Sequence, residues 1–289
     1  MEIVVTGPSG KLGGALVRLW QGEHIVHGLG REVLDLGKPN ELAGALENYS
    51  FDAIVNGAAM ANPEHCENNP EEARRVNTES PAALARICGE RGARLVHFST
   101  DYVLDGSREG LKDEEAPVHP LNEYGRSKLA GENLVLEEHA ESIVCRVSWI
   151  FGTEPGGFLE SFLARAGRGE ELQAVEDKFS KPTCVTEIAR VVLALLERGD
   201  LKGLFHLTHE GAPESWWSYA SKVLGFAHAL GLLEELKEVR RQKMADAARL
   251  QVARPIHTAM DPARLRAELG GGGGSWQEAA RARVRELLE

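Results

Sequence analysis

The chain has 289 residues with 33 Lys and Arg against 44 Asp and Glu, a formal net charge of −11. With 43% hydrophobic and 27% charged residues it reads as a globular chain of one large domain with room for a smaller appendage. The acidic balance argues against a binder of nucleic-acid backbone, which needs a basic face. No apolar stretch approaches the roughly 18 residues of a membrane span, and the first apolar run starts at Met1 itself, so a cytoplasmic protein without a membrane partner is expected. Glycine stands out at 31 residues, against a usual share of roughly 7%.

In chain order, Glu2–Thr6, His24–Gly28, Ala53–Asn56, Arg94–Ser99 and Ser142–Val147 read as short buried strands rich in β-branched residues. Helical patterns at Lys11–Gln21, Pro39–Tyr49, Glu71–Gly89 and Tyr124–His139 separate them. Strand and helix in alternation imply right-handed crossovers and a parallel, doubly wound α/β sheet. After Gly152 the rhythm changes. A Gly-rich turn at 154–157 precedes a helix near Phe158–Arg165, a strand near Leu172–Val175, a helix at Thr186–Arg198 and a strand at Leu204–Thr208. A Trp-containing helix (Ser215–Leu230) and a charged stretch (Glu234–Arg249) follow. Two capped helices end the chain, one opened by Asp261-Pro262 and one by the capping box Ser275-x-x-Glu278 after a glycine linker at 270–274. The expected division is a dinucleotide-binding domain at 1–152, to which 186–210 returns, and a smaller substrate lobe at 153–185 and 211–289.

The segment Thr6-Gly7-Pro8-Ser9-Gly10-Lys11-Leu12-Gly13 sits where the first strand turns into the first helix. Gly7 and Gly10 would let the backbone approach a pyrophosphate, the helix N-terminus would offer it free N–H groups, and Gly13 would allow close packing. Ser9, Lys11 and Leu12 fall in the same cofactor turn. Past the second strand no carboxylate precedes Arg31, whose planar guanidinium suits a 2′-phosphate, so NADPH is the expected cofactor, with NADH open to it. Asp35 and Leu36 would lie near the adenine.

Tyr124 and Lys128 stand four apart on one helix face, and Ser99-Thr100-Asp101-Tyr102 ends a strand at the carboxyl edge of the sheet. A phenol with a pKa of about 10 works near neutrality only beside a cation, which Lys128 would supply. The four cysteines, Cys66, Cys88, Cys145 and Cys184, show no C-x-x-C pair or zinc spacing and read as reduced thiols, with Cys66 in a polar, exposed-looking stretch. No metal cluster is expected.

These motifs resemble the extended short-chain dehydrogenase/reductases, and within them the dTDP-4-dehydrorhamnose reductases. The resemblance runs through TGPSGKLG (6–13), VNGAAM (55–60), PEEARRVN (70–77), STDYVLDG (99–106), PLNEYGRSKLAGE (120–132), RVSWIFG (146–152), KPT (181–183) and RPIHTAMDPARL (254–265). It implies a Rossmann fold and reduction of a nucleotide-sugar ketone. By this resemblance Tyr124 is the proton donor, Lys128 its pKa-lowering neighbour and a ribose ligand, and Thr100 the hydroxyl on the substrate carbonyl. Ala58, Ala59 and Met60 would line the cofactor; Asp101, Tyr102 and Trp149 would line the sugar. Lys178, Lys181 and Arg254 would reach its diphosphate. The substrate half departs from the family at Met60–Glu64, at Gly157, across 177–183 and at His257, which stands for a usual asparagine. A regulatory subunit like the β subunit of methionine adenosyltransferase is the alternative, and an epimerase or dehydratase a third. The resemblance leaves a homodimer open.

Overall fold

A computed structural model describes residues 1–152, 156–271 and 274–288. The elements run β1 (Glu2–Thr6), α1 (Lys11–Trp20), β2 (Ile25–Leu29), α2 (Leu42–Ala45), β3 (Ala53–Asn56), α3 (Pro63–Asn68), α4 (Pro70–Arg74), α5 (Ser80–Arg91), β4 (Arg94–Thr100) and α6 (Glu123–Glu138). They continue with β5 (Ile143–Val147), β6 (Ile150–Phe151), α7 (Phe158–Gly167), β7 (Leu172–Val175), β8 (Phe179–Ser180), β9 (Thr183–Cys184) and α8 (Val185–Glu197). The last are β10 (Gly203–His206), β11 (Glu214–Ser215), α9 (Trp216–Ala229), β12 (Val239–Gln242), α10 (Ala263–Leu269) and α11 (Trp276–Glu286).

Six strands form one parallel sheet in the order β2-β1-β3-β4-β5-β10. The chain winds outward from β1 to β2 and then crosses to β3 on the other side of β1, so the carboxyl ends of β1 and β3 flank the switch point where ligands enter open α/β sheets. Strand periodicity sorts the side chains: Ile3 and Val5 join the core under α1 and α8, while Val4 joins the core under α2, α5 and α6. The strand at 203–206 pairs with β5 at the sheet edge, and Ile188, Val192 and Leu195 of α8 pack on the α1 face. Leu265 of α10 packs on this core as well, although its stretch was expected in the substrate lobe.

That lobe has its own core of α7, α9 and α11 built around Phe162, Leu224 and Trp276. The charged stretch after Glu234 is partly ordered, because β12 pairs in parallel with β7. Ser275 caps α11 as its capping box predicts. The turn expected at 154–157 and the linker expected at 270–274 fall partly outside the described residues.

The helix expected over 71–89 is divided. After α4 a π turn spans Arg75–Glu79 before α5 begins. Two residues account for it: Pro81 has no N–H for the Asn77 carbonyl four residues back, and that carbonyl faces Gly131 of α6, where a Cβ would collide with it. Such π turns cluster at functional sites. This one aims Asn77 at Met60, accepting from its N–H at 2.9 Å and donating to its carbonyl at 3.0 Å.

Candidate active site

The glycine turn is shaped by close approach. Gly7 has φ of +67°, and a Cβ there would come within 3.0 Å of Ala58 Cβ. A Cβ on Gly13 would lie 2.7 Å from the Thr6 carbonyl oxygen, so only glycine lets α1 start this close to β1. Gly10 occupies the N-cap of α1 and offers no side chain to the first-turn N–H groups, which are left for a ligand. Leu12 is a core residue, packing rather than lining.

Gly7, Ser9, Arg31, Asp35, Leu36, Ala58, Ala59 and Met60 line one cleft of about 260 Å³, together with Leu29, Leu34, Gly37, Glu72 and Val76. Eight expected residues from three separate segments thus converge. Glu72 and Val76 carried no motif and were missed. Arg31 is 77% exposed on its side chain and lies 3.4 Å from Asp35; Asp35 also accepts from the Gly37 N–H at 2.9 Å, which fixes the turn. The carboxylate of Glu32 folds back against Gly30, so an acid does reach the end of β2, from one residue after Arg31 rather than before it.

The catalytic candidates meet at the ends of β4 and α6. Asn122 caps α6 by accepting from the Gly125 N–H at 2.9 Å and ties it to the C-terminal segment by donating to the Ala253 carbonyl at 2.8 Å. Gly125 is required because the helix starts on the Tyr102 carbonyl. The half-buried Tyr124 ring meets Tyr102 edge to face at 5.5 Å. Desolvation pushes its phenol up to about 12, against the pull of the neighbouring Thr100 side chain.

Lys128 is only 2% exposed and is not on the phenol: its Nζ lies 3.1 Å from Nε2 of His97. Burial lowers it to about 8, opposed by Glu132, whose carboxylate is itself held bidentate by Arg146 at 2.7 and 2.9 Å. The expected lowering of the Tyr124 pKa by Lys128 is therefore not present in the free chain. His97 carried no motif, since a lone histidine in an apolar strand reads as core.

The substrate-side expectations fare differently. Asp101 is 2% exposed, and its carboxylate accepts from Ser180 Oγ at 3.0 Å, from Thr258 Oγ1, and from Thr100 Oγ1 at 3.3 Å. It fastens the lobe to the sheet edge instead of lining an open sugar site. Lys178, expected to reach the sugar-nucleotide diphosphate, is fully buried: Nζ donates to the Pro255 carbonyl at 2.8 Å and sits 4.9 Å over the Tyr102 ring. Lys181 is buried too, with Asp261 and Glu210 opposing the burial that lowers its pKa. Arg254 Nη2 donates to both carboxylate oxygens of Glu64, at 2.6 and 2.8 Å. Trp149 stands at φ of +43°, a rare conformation for a non-glycine residue, 5.9 Å from Trp216. Its indole N–H is buried with no partner among the described residues. His257 stacks on Phe179 at 5.2 Å and 9°. Cys66 is buried, not exposed, and donates to the Met60 carbonyl.

Among the described residues no helix is long and apolar enough to cross a membrane. The family model described as the RmlD substrate binding domain matches residues 1–289. A dTDP-4-dehydrorhamnose reductase of Burkholderia thailandensis is 32% identical, over 100% of this chain and 99% of that protein. A solved dTDP-4-dehydrorhamnose reductase from Clostridium acetobutylicum superposes with a TM-score of 0.89 at 25% identity, covering 100% of both chains. One from Bacillus anthracis, in complex with NADP, gives 0.88 at 26% identity with 99% of each chain covered. With the glycine cleft and the Thr100–Tyr124 pair already in place, these similarities over the full length show that the chain belongs to the dTDP-4-dehydrorhamnose reductase family.

Proposed function

We propose that this chain reduces the 4-keto group of a nucleotide-activated 6-deoxysugar with NADPH, converting dTDP-4-dehydro-L-rhamnose to dTDP-L-rhamnose, and that NADH serves as a second cofactor. The observation that carries the reading is the hydroxyl pair of Thr100 and Tyr124 at the carboxyl edge of the sheet, with Lys128 one turn along the same helix and the glycine cleft beside it. A pyrophosphate fits the bare N-terminus of α1, with Gly7 and Ser9 in the cleft wall and Gly10 and Lys11 at the start of the helix. Arg31 would take a 2′-phosphate, and Ala58–Met60 would line the inner wall.

When bound, the nicotinamide supplies the hydride to the keto carbon. Tyr124 gives its proton to the carbonyl oxygen as charge develops there, and Thr100 donates a hydrogen bond to the same oxygen. A phenol held near 12 arrives protonated at neutral pH, which a proton donor requires. Lys128, charged below about 8, would favour the tyrosinate left behind once its Nζ turns from His97. Tyr102 and Trp149 offer ring faces to the sugar, and Arg254, if released from Glu64, would meet its diphosphate.

The test follows NADPH absorbance with a panel of dTDP-, GDP- and UDP-4-keto sugars. Turnover should be fastest with the dTDP sugar, and Tyr124→Phe should lower kcat by about 10²–10⁴, the usual contribution of a general acid. No oxidation with any sugar would instead support a cofactor-binding regulatory subunit.

A further inference from the structure

A line of polar side chains crosses the middle of the sheet beneath the site. Thr6 Oγ1 lies 2.6 Å from Asn56 Oδ1, Asn56 Nδ2 lies 3.0 Å from His97 Nδ1, and His97 Nε2 lies 3.1 Å from Lys128 Nζ. At the other end Thr6 Oγ1 accepts from the Ala58 N–H at 3.1 Å, in the wall of the cofactor cleft. All four side chains are at most 2% exposed. Apolar residues would fill this space without the cost of burying polar groups, so the line calls for a role.

Counting protons along it gives two arrangements. As the amide stands, Asn56 Nδ2–H donates to His97 Nδ1. The ring proton is then on Nε2 and donates to Lys128 Nζ, which is the pattern of a neutral amine. An ammonium instead donates to Nε2, which puts the ring proton on Nδ1 and requires Asn56 to turn its Oδ1 toward the ring and its Nδ2 toward Thr6. His97 stays neutral in both: burial holds it well below the ordinary histidine range, and in the ammonium state the lysine's charge adds to this. Between the two states one proton leaves Lys128 for solvent, and the ring's own proton changes nitrogen by exchange.

Resting on the reading of Lys128 given above, we infer that His97 and Asn56 are positioning residues that register the charge of Lys128 as a histidine tautomer and an amide orientation, and so couple the lysine to the cleft wall at Ala58. The other titratable groups around Lys128 are Tyr124 and Glu132 on its own helix and Cys66 on α3; Glu132 is tied to Arg146 of β5. None of them touches His97, so the histidine can be addressed separately.

The experiment has two arms. In the free chain, ¹⁵N-labelled histidine is followed by NMR from pH 7 to 10, with His97 assigned by comparison with His97→Gln. The ring proton should move from Nδ1 to Nε2, and in Asn56→Asp, which can only accept, Nδ1–H should persist to a pH about one unit higher. In the loaded enzyme the alkaline limb of kcat/KM should rise by about one pH unit in Asn56→Asp and fall by about one in His97→Phe, whereas a merely structural role would lower kcat and leave the limb in place. A single tautomer held from pH 7 to 10, or a limb unmoved in both variants, overturns the inference. A parent without turnover overturns the reductase reading alone, since the tautomer change is read without substrate.

Discussion

Asp101 offers the sharpest separation between a residue that touches substrate and one that holds the site together. In Asp101→Ala three buried hydroxyls lose an acceptor at once: Thr100, Ser180 and Thr258. Hydrogen bonds to a charged group contribute about 1.5–3 kcal/mol each, but two of the three donors have a second acceptor within reach. Ser180 can turn fully to the Thr258 carbonyl and Thr258 to the Phe179 carbonyl, both at 3.3 Å. Discounting those two, the expected loss is about 1.5–3 kcal/mol. At an unfolding entropy of about 2.1 cal/mol/K per residue, a chain of 289 residues loses about 1.6 °C of Tm per kcal/mol, so Tm should fall by about 2–5 °C. Asp101→Asn keeps one acceptor and should lose less than half as much. The assay is thermal unfolding by circular dichroism in the free chain, paired with KM for the sugar nucleotide in whatever fraction stays folded. A variant that melts with the parent and shows only a raised KM would refute the fastening role and return Asp101 to the sugar.

Two further outcomes follow from the buried and exposed cations. Arg31→Ala should leave stability within about 0.5 kcal/mol, because its exposed pair with Asp35 contributes little; it should cut the NADPH-over-NADH affinity ratio by about 10-fold or more, and an unchanged ratio would sink the 2′-phosphate assignment. Lys178→Met tests linkage. Burial lowers Lys178 from 10.5 to about 8, so between those two pH values the unfolded chain binds the extra proton and the stability of the parent rises with pH. The penalty for burying the charged form is fully present below about 8 and amounts to about 3 kcal/mol at 1.36 kcal/mol per unit. The variant lacks it, so the stability of Lys178→Met relative to the parent should be greatest at pH 7 and shrink toward pH 10 in denaturant titrations; a gap independent of pH would mean Lys178 is not buried charged.

The parts of the fold that could be read in advance are those where one local signal suffices. The strand at Glu2–Thr6 is an unbroken β-branched run, and the turn after it uses glycines where a Cβ would strike backbone. The Ser275 capping box is likewise complete within four residues. What was illegible depended on partners far along the chain. The π turn needs Pro81 and Gly131 together, and α3 is too short for periodicity to show. Lys178, Lys181 and Arg254 read as cations free to reach a diphosphate because their carbonyl and carboxylate partners are supplied by other segments, Pro255 and Glu64 among them. His97 and Asn56 were invisible for the same reason: each sits in an apolar strand, and only sheet register sets them side by side.

That redistribution of cations changes how an acidic protein of net charge −11 would hold two anionic ligands. Three basic side chains expected to face them are already committed: Lys128 to His97, Lys178 to Pro255 and Arg254 to Glu64. Each was taken out of water at a cost that its partner only partly offsets, so none serves as a mobile surface charge. Attraction for the pyrophosphate then falls to the oriented N–H groups at the start of α1, where glycine keeps the backbone bare, and to exposed Lys11 and Arg31 at its margins. Backbone amides are fixed and buried against the ligand, whereas exposed charges are screened within about 8 Å at physiological salt. Cofactor binding here should consequently weaken far less with added salt than a contact made by several lysines would, and the remaining salt dependence should disappear largely with Arg31→Ala.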